Sequence, residues 1–242
     1  KVNFEMLRFM YDEFVPRMPN IEETFGEAVC YHPYMQRSVR SLQHIWTSIE
    51  VALMPSDTYG KEKTTASRVA TLNGFRCYRP KPHRVYLPAS YDGTLRGIYG
   101  RLDDARDLVT AGPDPLPDLP SHIEVSQFDF AQVARIAVHS VGRDFAARLA
   151  DLEAGARTQK AAVIQVWLNL TEPWVDRAVE ILRGNGYFFG GPLPRWFDGD
   201  GLLMQKLYCP PDFEGIVLDS DVARDLMAVI RTDWERAQVG KG

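Results

Sequence analysis

The sequence is poor in cysteine, and what it has is scattered. Cys30, Cys77 and Cys209 are an odd number, far apart, with no CxxC among them. The five histidines, His32, His44, His83, His122 and His139, show no HxxxH or HExxH spacing. These absences argue against a disulfide framework and a structural zinc site, so the expected metal is none and the expected setting a reducing, cytoplasmic one. Positive charge is not in excess either. A formal net charge of −4 gives no field to recruit nucleic acid or an anionic membrane. No apolar run reaches the length of a membrane span. The chain begins with Lys1 rather than Met, which reads as a segment cut from something longer.

What is present is the composition of a folded domain: 45% hydrophobic and 25% charged over 242 residues, enough for one large domain or two lobes. Pro113, Pro115, Pro117 and Pro120 crowd the stretch 111–120, which excludes helix or central strand. We therefore expect a lobe over 1–110, a Pro-rich connection over 111–120 and a second lobe over 121–242.

Before that connection, Phe4, Leu7, Tyr11 and Phe14 form a helical stripe, and strands are expected from Glu22, Arg68 and His83. The run around Ile45 to Met54 alternates with period two, which favours strand. A helix is expected over 91–108, with the charges between Arg96 and Asp107 forming its solvated face. After the connection come a strand at His122 and a long helix over 130–156. Next are a doubly buried strand over 161–170, a helix begun by Thr171 and Pro173, and a Gly184-Asn185-Gly186 stop. The aromatic stretch Tyr187 to Phe197 then leads through the turn Asp198-Gly199-Asp200-Gly201 into an antiparallel final strand.

That order, with Gly186-Tyr187 after the last of those helices and Leu203, Gln205 and Leu207 alternating at the end, resembles the C-terminal half of the GNAT acyltransferase superfamily, over roughly 123–208. The resemblance implies an α/β fold, a mixed sheet flanked by helices, with two half-lobes here. It also implies acyl transfer from acetyl-CoA or another acyl-CoA to an amine or hydroxyl of a small molecule or protein. In that family a splayed pair of parallel strands pairs with the pantetheine amides as an added strand would, and the pyrophosphate rests on N–H groups at a helix start. The degenerate phosphate-loop match is Gln36, Arg37, Ser38, Val39, Arg40 and Ser41, with Val39 and Ser41 at positions that favour small residues. None follows the second-half strands, and Leu182 stands where the family often has its acidic Tyr. These departures keep a second reading open: a non-catalytic module of the same fold, sensing a ligand or mediating an interaction within a larger protein. An acyl-amino-acid synthase fed by a carrier protein is a third. A homodimer or a fusion is the expected assembly.

The candidate catalytic residues are His32, a general base or a backbone-bonded loop histidine, and Glu50, solvated or inward with a raised pKa; period two slightly favours solvent. Candidates for the cofactor are Gln36, Arg37, Ser38, Arg40 and Asn169, the last at a strand's carboxyl edge beside Glu172, where helix-start chemistry competes. Candidates for substrate are Tyr34, Arg68, Tyr187, Arg195 and Trp196, for each of which plain packing or surface pairing is the other reading.

Overall fold

The structure, a computed structural model, describes residues 2–55 and 68–239. Helix α1 (Val2–Arg8) runs on through a wider turn, Phe9–Phe14, and ends at a tight turn containing Pro16. Strands β1 (Glu23–Val29), β2 (Ile45–Pro55) and β3 (Arg68–Cys77) form an antiparallel sheet with β3 central, and α2 (Tyr34–Ser41) follows β1. Strand β4 (His83–Leu87) pairs in parallel with β5 (Arg106–Thr110) across α3 (Asp92–Tyr99).

The larger sheet takes the second half. Its strands are β6 (His122–Phe128), β7 (Val133–Ser140), β8 (Val163–Asn169), β9 (Phe188–Leu193) and β10 (Gly201–Leu207), in the order β6-β7-β8-β10-β9. Helix α4 (Phe145–Thr158) connects β7 to β8, α5 (Val175–Gly184) connects β8 to the edge strand β9, and α6 (Asp221–Val239) packs against β9. The mixed α/β class agrees with the sequence, as does the antiparallel β9–β10 pair. No helix among the described residues is long and apolar enough to cross a membrane.

Two helix expectations fail. The helix expected over 130–156 is β7 followed by α4. Ala134, Ile136 and Val138 are buried on one face and Arg135, Ala137 and His139 are half-buried on the other, while Val133, Ala137 and Val141 also fit a helical stripe, which underlies the helix expectation. The break is at Gly142, where a Cβ would lie 1.9 Å from the Leu119 carbonyl oxygen. The helix expected over 91–108 ends at Tyr99, and 106–110 is strand.

The two large sheets face one another. Phe25, Glu27, Asn73, Thr71, Ser48 and Glu50 share one face of the small sheet by register, and Arg135, Gln165 and Gln205 form a row across the large one. Beside β2 the approach is so close that a Cβ on Gly191, whose φ is +119°, would lie 2.2 Å from the Thr47 carbonyl oxygen; only glycine fits there.

Candidate functional site

The expected thioester slot lies beside β8, whose backbone is paired on both sides from Val163 to Leu168. Strand β8 pairs with β7 from Val133–Val163 to Val138–Leu168 and with β10 from Leu207–Val163 to Gly201–Asn169. Past the ladder, Asn169 Nδ2 donates to the His139 carbonyl at 3.1 Å, and its Oδ1 accepts from the Thr171 N–H. The Leu170 N–H donates to the Asp200 carbonyl, and the Leu170 carbonyl accepts from the Tyr86 N–H. A pantetheine arm needs unpaired backbone groups, and this junction offers none of those named.

The turn that leads into α4 has partners of its own. The Arg143 N–H donates to the Pro117 and Leu119 carbonyls, and the Gly142 N–H to Ser121 Oγ at 2.8 Å. The Phe145 N–H turns back to the Gly142 carbonyl. Asp144 accepts from the Ser121 N–H and hydroxyl, at 2.7 and 2.8 Å. The Pro-rich segment thus sits where an anion would sit at a helix start.

The residues expected at the cofactor have other partners as well. Gln36 is buried; its Nε2 donates to the Val217 carbonyl at 2.8 Å and its Oε1 accepts from the Asp219 N–H at 3.0 Å. Arg37 and Arg40 both pair with Asp219, at 2.8 and 3.1 Å, and Ser38 donates to the Tyr34 carbonyl. Together they latch the chain before α6 onto α2. His32 lies between the rings of Tyr31 and Tyr34, with a buried Nδ1 that has no hydrogen-bond partner; Tyr34 itself is exposed. Arg68 donates to the Ala52, Leu53 and Ala131 carbonyls, stapling the irregular end of β2 to the β6–β7 turn. Tyr187 is fully buried, and Trp196 packs against Phe25, Phe75 and Trp167. The Arg195 side chain pairs with Glu22.

Glu50 is where the structure departs most from expectation. The residue is 5% exposed and points between the sheets rather than to solvent. Its carboxylate accepts from Gln165 Nε2 at 2.8 Å, Thr71 Oγ1 at 3.0 Å and Arg135 Nη2 at 3.3 Å. Arg135 also donates to Gln165 Oε1 at 2.8 Å, and its guanidinium lies over the rings of Trp167 and Phe128. Gln205 acts as a side-chain peptide group: Oε1 accepts from the Val51 N–H at 2.7 Å and Nε2 donates to the Ile49 carbonyl at 2.8 Å. At the mouth of this layer stands Glu27. Although the residue is exposed as a whole, its carboxyl is held above the usual carboxylate range, first by desolvation against the facing strands and then by the Glu50 charge.

A second buried cluster, which the sequence did not announce, gathers at the other end of β1 and β3. Asp200, from the turn between β9 and β10, is fully buried; it accepts from Arg106 Nε at 2.6 Å, the Arg195 N–H at 3.0 Å and His83 Nε2 at 3.1 Å. Burial pushes its carboxyl up, but the His83 and Arg106 partners outweigh it and hold it low. His83 faces acceptors on both ring nitrogens, with the Lys81 carbonyl 2.7 Å from Nδ1, and is raised chiefly by its hydrogen bond to Asp200. Glu23 and Cys77 are register partners across β1 and β3, and Asp104 completes the group. Burial lifts Glu23 to about 7 against the pull of Arg106, and lifts Cys77 to about 12. Asp104 and Arg106 are thus not on a solvated helix face: their side chains are 1% and 3% exposed.

Two surface hollows lie elsewhere. One of about 430 Å³ is lined by Tyr91, Arg183, Asp233 and Arg236 among others, and one of about 440 Å³ by Gln127, Asp129 and Lys160 with their neighbours.

No protein-family model and no curated protein matches the sequence. Among solved structures, the chain is similar to Ard1 from Thermoplasma volcanium, at 18% identity over 41% of this chain and 64% of that one, with a TM-score of 0.29. A likeness of that extent fixes neither activity nor ligand for this chain.

Proposed function

We propose that this chain is an acyltransferase-like module that does not itself transfer acyl groups, serving instead as a ligand-sensing or interaction domain of a larger protein in the cytoplasm. One observation carries the reading. At the strand junction and helix start that would hold an acyl-CoA, the Leu170 N–H and carbonyl, the Gly142 and Arg143 N–H groups and the His139 carbonyl are bonded to Asp200, Tyr86, Ser121, Pro117, Leu119 and Asn169. Opening them would orphan several buried backbone groups, each at about 1–3 kcal/mol. Isothermal titration with acetyl-CoA and longer acyl-CoAs tests the reading. It expects no heat of binding, and micromolar affinity for any of them overturns it.

A transferase reading keeps one specific support, the Glu27 and Glu50 pair beside Arg135. A carboxyl held above its usual range is suited to take a proton from an amine or hydroxyl acceptor. On that reading an acyl-CoA or carrier-bound thioester is the donor, and Glu27→Gln abolishes turnover without changing the fold.

A further inference from the structure

We infer that Glu23, Cys77 and Asp104 form a binding site for a divalent transition-metal cation of the zinc type. One ligand atom from each lies within 4.8 Å of those from the other two. Independently of that spacing, two of the carboxylates are incompletely satisfied. The Asp104 side chain is 1% exposed, and its Oδ1 accepts from the Lys81 and Ala105 N–H groups at 2.7 and 2.9 Å. Its Oδ2 is buried with no hydrogen-bond donor, as is Glu23 Oε2. The nearest charges to Asp104 Oδ2 are Arg106 Nη2 at 3.6 Å and His83 Nδ1 at 3.8 Å, both beyond hydrogen-bond length. Buried carboxylate oxygens are rarely left this way. Arg106 and His83 direct their short bonds to Asp200 and reach Asp104 only at longer ion-pair distance, so neither donates a hydrogen bond to its free oxygen.

The donor set chooses the cation. Two carboxylate oxygens and one sulfur suit zinc, at bonds of about 2.0–2.3 Å, with a fourth position left for water. Calcium and magnesium take more oxygen ligands and avoid sulfur. Binding replaces the Cys77 thiol proton with the metal and releases that proton to water. Glu23 and Cys77 come from adjacent strands and Asp104 from the segment leading into β5, so a metal here ties the small sheet to the β4–β5 pair.

Cobalt(II) titration of the intact, reduced chain after chelator treatment tests this. The expected result is one thiolate-to-cobalt charge-transfer band per chain. Cys77→Ser abolishes it, Cys209→Ser keeps it, and zinc displaces it. Glu23→Gln, at an oxygen that bonds to nothing, weakens cobalt binding by about tenfold or more and serves if Cys77→Ser does not fold. The exposed His122 and Glu124, with the half-buried His139 beside them, can take cobalt through nitrogen and oxygen, which gives no thiolate band. Absence of the band, or its survival in Cys77→Ser, overturns the inference.

Discussion

The two buried polar clusters are built from similar residues and end in opposite states. Between the sheets, each side-chain polar atom of Glu50, Gln165 and Gln205 that is sealed from solvent has a partner, although Asn73 Oδ1 on the same face has none. Around Asp104, by contrast, Glu23 Oε2, Asp104 Oδ2 and Arg106 Nη1 are buried without one. A satisfied network fixes how two sheets meet, because each wrong register would orphan a group. An unsatisfied one marks where something from outside completes the structure. The lesson is that burial of charge alone does not distinguish scaffold from site; the state of the last lone pair does.

The comparison is broken most directly at Glu50. Glu50→Ala strands Arg135 and Gln165 and should cost about 3–5 kcal/mol, read as a fall in the urea midpoint; a loss under about 1 kcal/mol would deny the layer its structural role. Gln205→Ala leaves the Val51 N–H and Ile49 carbonyl unpaired, and about 2–4 kcal/mol should go in the same measurement.

His44 offers a pH version of the same contrast. It is buried, bonded to the Leu42 carbonyl and Thr24 hydroxyl, and desolvation lowers it from 6.5 to about 4. The unfolded chain therefore takes up the proton first. This contribution to stability is complete above about 6.5 and is lost as pH falls through about 4. His44→Gln should flatten the acid slope by up to about 3 kcal/mol across that window, and an unchanged slope would refute the assignment.

Gly142→Ala drives a methyl into the Leu119 carbonyl and should cost about 1–3 kcal/mol, with faster amide exchange at Arg143. Glu23→Gln sits at the other end of the scale. In metal-free protein it removes a charge that has no partner at Oε2, so stability should change by less than about 1 kcal/mol or rise. A loss as large as that of Glu50→Ala would erase the contrast between the clusters.

Much of the fold was legible in the sequence. Period two marked β2, the Gly184-Asn185-Gly186 stop ended α5, and the Asp-Gly turn announced the β9–β10 pair. Strand β7 was not legible, because Val133, Ala137 and Val141 also fit a helical stripe that runs on into α4. Glu50 was misread for a different reason: neighbours on either side of β2 are buried from Trp46 to Leu53, so alternation could not say which face was solvent. The Asp104 cluster left no signal at all. Its residues come from β1, β3, β4, the start of β5 with the approach to it, and the β9–β10 turn, and no spacing rule joins segments so far apart. The closed junction was equally hidden, since it depends on where the Pro-rich segment folds back.

Amide hydrogen exchange at Gly142, Arg143 and Leu170, with and without millimolar acetyl-CoA, tests the central claim that this junction is sealed. The account predicts slow exchange at all three and no change on adding acetyl-CoA. Fast exchange in the free protein, or new protection confined to these amides when the thioester is present, would contradict it.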